Sequence, residues 1–142
     1  MDNKLIEAYQ TTTYFVHPLG KKIGIRIGNL HPDLDSFLVL HNAQEWAFIT
    51  AYNPGSKILS ETENEKNQKD LEKMISNARY IFFQGEGIGA DSLWPPEKSI
   101  LALGISQKVA EDFAQQFGQN AIVFGEIGKK AELLLIKPKK NI

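Results

Sequence analysis

A chain of 142 residues, 42% hydrophobic and 23% charged, has the length of one domain and the balance of an ordinary globular protein with its own core. Its formal net charge of −1 provides no field to draw in nucleic acid or an anionic membrane surface. The absence of cysteine removes disulfides, thiolate metal sites and thiol nucleophiles together.

The apolar runs fall far short of the ~18 residues a membrane span needs. The opening M-D-N-K-L-I-E-A-Y-Q alternates charged and apolar residues and carries no apolar core with a small-residue cleavage site. Cytoplasmic location is the expectation, and a reducing compartment suits a chain without cysteine.

Asp2–Thr11 has the spacing of a short amphipathic helix, with Leu5, Ile6 and Tyr9 on one face and Asp2 as its cap. Thr12–Val16 is β-branched and aromatic. Lys22–Ile27 alternates Ile23, Ile25 and Ile27 with polar or small residues, and the two segments predict an antiparallel hairpin across His17–Gly20. His31-Pro32-Asp33 opens a helix ending near Asn42, with Leu34, Phe37, Leu38 and His41 at helical spacing. Glu45–Tyr52 reads as a buried strand that runs into Asn53-Pro54-Gly55, a strong exit signal.

Ser60 and Glu63 form a capping box at the head of the longest helix, Ser60–Ala78. Leu71, Met74, Ile75 and Ala78 make its apolar stripe, and continuing that stripe backward reaches Asn67 and Asn64. The front of this helix therefore turns amides towards the body. Arg79–Phe83 is a strand, Gly85–Pro96 a glycine-rich connector carrying Trp94, and Ser99–Leu103 a further strand. Ser106 caps a helix through Phe117 that Gly118 ends. Ala121–Phe124 and Glu132–Ile136 are strands, and Lys137–Ile142 is a flexible basic tail.

Arg26–Ala51 and Ala102–Ile127 run alike, each a helix followed by a strand and each preceded by a strand pair. They fit an internal ββαβ duplication joined by the Ser60–Ala78 helix, with chance similarity of two amphipathic units as the competing reading. The fold class is α/β in the broad sense (α+β): a single domain over residues 1–142, with a mixed, largely antiparallel sheet covered by helices.

His17, His31 and His41 lack the spacing of a metal-binding helix and have no acidic cluster beside them, so no metal is expected. Gly85-Glu86-Gly87-Ile88-Gly89 has neither a G-K-[ST] ending nor a helix directly after it, which excludes a phosphate loop, and G-x-G-x-x-G is absent. No cofactor is implied. No G-x-S-x-G elbow exists, and nothing in the spacing pairs Glu86, Asp91, Glu97 or Glu126.

What remains is a set of residues at odds with their positions: Thr50, Asn53 and Ser56 after the strand, Asn64 on the inward helix face, Trp94 and Glu97 before a strand, and Gln119 with Asn120 between helix and strand. Such amides either tie down loop backbone or read a polar ligand.

On these residues the chain resembles the bacterial family catalogued as domain of unknown function 3293. The resemblance rests on T-A-Y-N-P (Thr50–Pro54), E-N (Glu63-Asn64), W-P-P-E-K-S (Trp94–Ser99) and F-G-Q-N-A (Phe117–Ala121), in family order and across nearly the whole chain. The family more often has Trp at the position of Tyr52 and is usually one residue tighter between Trp and Glu. The resemblance implies a small stand-alone bacterial domain and no particular reaction.

Three functions follow. The first is a polar small ligand held in a cleft after Ala47–Ala51 by Thr50, Asn53, Ser56, Asn64, Trp94, Glu97 and Gln119. The second is a hydrolase or transferase using Glu97 as general acid or base. The third is a protein-partner module using exposed aromatics such as Tyr14, Phe15 and Trp46. No nucleic-acid or membrane partner is expected.

Overall fold

Side-chain caps and apolar alternation set the elements of the computed structural model, which describes residues 2–91 and 94–138. Ser92 and the last four residues of the tail lie outside them. The order is α1 (Asn3–Thr11), β1 (Thr13–Val16), β2 (Ile23–Ile25), α2 (Pro32–Leu40), β3 (Glu45–Ile49), α3 (Glu61–Asn77), β4 (Ile81–Ile88), β5 (Glu97–Leu103), α4 (Gln107–Gln116), β6 (Ala121–Glu126) and β7 (Glu132–Leu135). Asp2, Ser60 and Ser106 each accept a backbone N–H from the first turn of α1, α3 and α4. The Ser60 hydroxyl also meets the Glu63 carboxylate, at 2.9 Å.

All seven strands join one sheet in the order β2-β1-β4-β5-β3-β6-β7, and every neighbouring pair is antiparallel. The architecture is α+β. The sheet is antiparallel throughout because each helical connection skips intervening strands: β2 and β3, β3 and β4, and β5 and β6 share a direction but never pair. Strand, strand, helix, strand occurs twice, yet the two units interleave, with β3 lying between β5 and β6.

Handedness then decides which face each helix covers. Alternation gives β2 and β3 one direction and β5 and β6 the other, while both crossovers step the same way along the sheet. Crossovers of this kind are almost always right-handed, which requires α2 and α4 on opposite faces. The crossover from β3 to β4 steps back, so α3 belongs with α4. The two cores agree. Leu34, Phe37 and Leu38 of α2 pack with Tyr14, Val16, Trp46, Phe48, Leu101 and Val123. Leu71 and Ile75 of α3 pack with Ala110, Phe113 and Ala114 of α4 on Ala47, Ile49, Ile100, Ala102 and Ile122.

Several boundaries differ from the sequence reading. The segment Gly85–Ile88 continues β4: its backbone pairs with β1 on one side, and with β5 on the other through Gly87. Glycine is required at Gly85, where a Cβ would strike the Phe15 carbonyl oxygen and press on the Phe48 ring. β5 begins at Glu97, which makes that carboxylate a strand residue. β3 stops at Ile49, because Thr50 turns its hydroxyl onto the Lys98 carbonyl at 2.6 Å and accepts the Tyr52 N–H at 3.0 Å.

The partner-module aromatics need correction. Tyr14 and Trp46 are 8% and 2% exposed. Trp46 lies across its cross-strand partner Gly125, and Tyr14 meets Phe48 edge-on at 5.3 Å. Both are core residues, and Phe15 is half-buried.

Candidate functional site

The segment leaving β3 is tightly turned, and Ala51, Tyr52 and Asn53 at its start are buried, so their backbone needs partners that no strand supplies. Side-chain amides provide them. The Ala51 N–H donates to Gln68 Oε1 at 2.9 Å, the Tyr52 carbonyl accepts from Gln119 Nε2 at 3.0 Å, and the Asn53 N–H donates to Asn64 Oδ1 at 2.8 Å. The Gly55 N–H reaches the Gly118 carbonyl at 2.8 Å. Asn53 and Ser56 sit at φ of 47° and 61°, left-handed conformations uncommon for non-glycine residues.

Asn53 is the hub. Its Oδ1 accepts from Asn64 Nδ2 at 2.8 Å and the Leu59 N–H at 2.9 Å, and its Nδ2 donates to Glu97 Oε2 at 2.7 Å. Trp94 Nε1 donates to the same oxygen at 3.2 Å. Ser56 Oγ accepts from Asn120 Nδ2 at 2.8 Å. The network ties together residues far apart in sequence, among them Asn53, Asn64, Trp94 and Glu97.

A cleft of about 560 Å³ opens beside the network, on the α2 face of the sheet. Its cause is side-chain size. Where α2 covers that face, the strands present Trp46, Phe83 and Leu103; further along, the same rows present Thr50, Gly87, Ser99 and Ala121. α1 lies over this shallow floor and contributes Tyr9, and Tyr14 and Phe48 form the inner wall. Thr50, Ser56, Trp94 and Glu97 line the cleft. Asn53, Asn64 and Gln119 do not; they hold the chain that carries the others.

The electrostatics centre on Glu97. Burial raises its carboxyl above the usual range, and the hydrogen bonds from Asn53 and Trp94 pull it back in part. Both bonds go to Oε2, and among the described residues none goes to Oε1. Glu97 is itself one of the residues lining the cleft. Tyr9 is raised by burial, lowered by a Ser56 hydrogen bond and raised again by the Glu97 charge. Burial raises Tyr14 too, and its hydroxyl donates to the Tyr9 carbonyl at 3.1 Å. Tyr52 is likewise raised, by burial and by its 2.8 Å bond to Glu61.

A second cavity of about 460 Å³ lies on the opposite face between α3 and the sheet, with mixed charges that include the Lys98–Glu65 pair at 2.7 Å. None of the candidate residues lines it. Among the described residues no three histidines or carboxylates gather to hold a metal ion, and no helix is long and apolar enough to cross a membrane. His31 accepts the Arg26 N–H at 3.0 Å, and His41 packs on Phe37 at 4.4 Å.

The sequence reading missed Gln68, Tyr9 and Tyr14. Gln68 had a signal: it lies three residues before Leu71, so it shares the inward face with Asn64, whereas Asn67 is only half-buried. Tyr9 and Tyr14 gave none, because only the return of α1 over the sheet brings them to the cleft.

Residues 49–122 match the model of a family described as a protein of unknown function (DUF3293). That segment is just over half of the chain, and the protein belongs to this family. The match runs from the end of β3 into β6 and includes every candidate residue, whereas α1 and β1, which complete the cleft, lie outside it. No curated protein and no solved structure matches the chain.

Proposed function

We propose that the domain binds a polar small molecule in the cleft beneath α1. Trp94 is the flat apolar wall, and Glu97, Thr50 and Ser56 orient the ligand. Asn53, Asn64 and Gln119 act behind them by fixing the loop. The observation that carries this reading is Glu97, a largely desolvated carboxylate gripped through Oε2 in the lining of a cavity of small-molecule size. The cysteine-free composition suits the reducing cytosol of a bacterium.

A thermal-shift screen of polar metabolites against wild type and Glu97→Ala tests the reading. Compounds should raise the melting temperature of the wild type and leave the folded variant unmoved. Equal shifts in both proteins would place binding elsewhere.

The raised carboxyl of Glu97 also favours a second reading, a hydrolase or transferase in which it serves as general base or acid. Turnover of a ligand found by the screen, lost in Glu97→Gln, distinguishes the two.

A further inference from the structure

Resting on the cleft reading above, we infer that its ligand is a cation: a small molecule with an amine, amidine or guanidinium group joined to a flat apolar body. The first argument is an unmatched charge. Carboxylates removed from water are normally paired with a cation of the protein. Glu97 has none among the described residues; its partners are a neutral amide and an indole, both on Oε2. An N–H-bearing cation at Oε1 supplies the missing partner through a charge-assisted hydrogen bond.

The rim points the same way. Among the described residues, the ionisable side chains lining the cleft, tyrosines aside, are Asp2, Glu7, Asp91 and Glu97, with Lys4 as the basic one. A phosphate or carboxylate ligand would meet these carboxylates with no basic residue at the floor among the described residues.

The walls account for the flat body. Trp94 is 36% exposed and pinned through its indole N–H, so its ring is held in place while part of it stays uncovered, and the Tyr9 ring lines the cleft with it. Aromatic faces attract cations and stack flat groups.

The experiment titrates the full chain with benzamidine, its neutral isostere benzamide and benzoate. Binding is followed through the Trp94 indole N–H resonance, assigned with Trp94→Phe. Benzamidine should bind at least about tenfold more tightly than benzamide, as one charge-assisted hydrogen bond supplies, and benzoate should not bind. Glu97→Gln keeps acceptors for Asn53 and Trp94, and should erase the preference for benzamidine while leaving a folded protein. Equal or tighter binding of benzamide or benzoate at the Trp94 resonance overturns the cation inference and leaves the cleft reading standing. If these probes and the metabolites all leave that resonance unmoved, both fail. A benzamidine preference that survives in Glu97→Gln also overturns the inference, since the charge would then be read elsewhere.

Discussion

Asn64→Ala is the sharpest probe of the network. Asn64 is 3% exposed and makes two bonds at 2.8 Å, accepting the Asn53 N–H and donating to Asn53 Oδ1. Truncation orphans a buried backbone donor, which costs about 1–3 kcal/mol, and removes a second bond with a net worth of about 1 kcal/mol. The better helix propensity of alanine returns roughly 0.5 kcal/mol. The net loss is about 1.5–3.5 kcal/mol, which for a domain of this size lowers the melting temperature by about 5–12 °C. Asn67→Ala is the control three residues further along α3: the same amide type, half-buried and outside the network, expected within about 0.5 kcal/mol of wild type. Differential scanning calorimetry of the three proteins measures both. Similar melting temperatures for Asn64→Ala and Asn67→Ala would refute the claim that Asn64 holds the loop backbone.

Glu97→Gln should be more stable than wild type at neutral pH. Burial raises the folded carboxyl, so its favourable contribution is complete below the unfolded pKa and is lost as pH rises through the folded value. The advantage of glutamine should therefore shrink on acidification below the carboxylate range, and a pH-independent difference in melting temperature would contradict the assignment. Gly125→Ala places a Cβ about 2.5 Å from the Trp46 ring and should cost about 1–3 kcal/mol in a urea unfolding curve. Ser60→Ala removes the acceptor of the Glu63 N–H and should cost about 1 kcal/mol in the same assay.

What could be read from the sequence was local. Ser60 and Ser106 announce their helices because a hydroxyl followed by a helical stripe has few other uses. Asn64 stood out because it occupies a position where the stripe calls for hydrocarbon. Gly85–Ile88 reads as a loop because glycine lacks strand propensity, and the close passage of Phe15 and Phe48 at Gly85 explains why glycine belongs there. Trp46 resembled a surface aromatic because the bare backbone it covers, Gly125, is remote in sequence. Thr50, Ser56, Trp94 and Glu97 could be nominated for a cleft, while the division between residues that line it and residues that brace it depends on contacts such as Gln119 to the Tyr52 carbonyl. Those contacts depend on strand order, which no local pattern encodes.

The two sides of the cleft differ in how firmly they are held. The floor belongs to the central strands, and the Glu97 side is braced by α3, whose Asn64, Gln68, Leu71 and Ile75 are all buried. α1 has no fully buried residue. Its side-chain ties to the body include Tyr14 to the Tyr9 carbonyl at 3.1 Å and Arg26 to the Gln10 carbonyl at 3.3 Å, beside the Tyr9 contact with Ser56. A nine-residue helix is far too short to persist without packing, so its stability is limited by those few ties. Hydrogen exchange should show the α1 amides opening locally, well below the global unfolding free energy, while the buried face of α3 exchanges only with the whole domain. Matching protection in the two helices would mean that α1 is as firmly bound as α3. Tyr14→Phe deletes one tie with little loss of volume, and should speed exchange in α1 while leaving α3 unchanged.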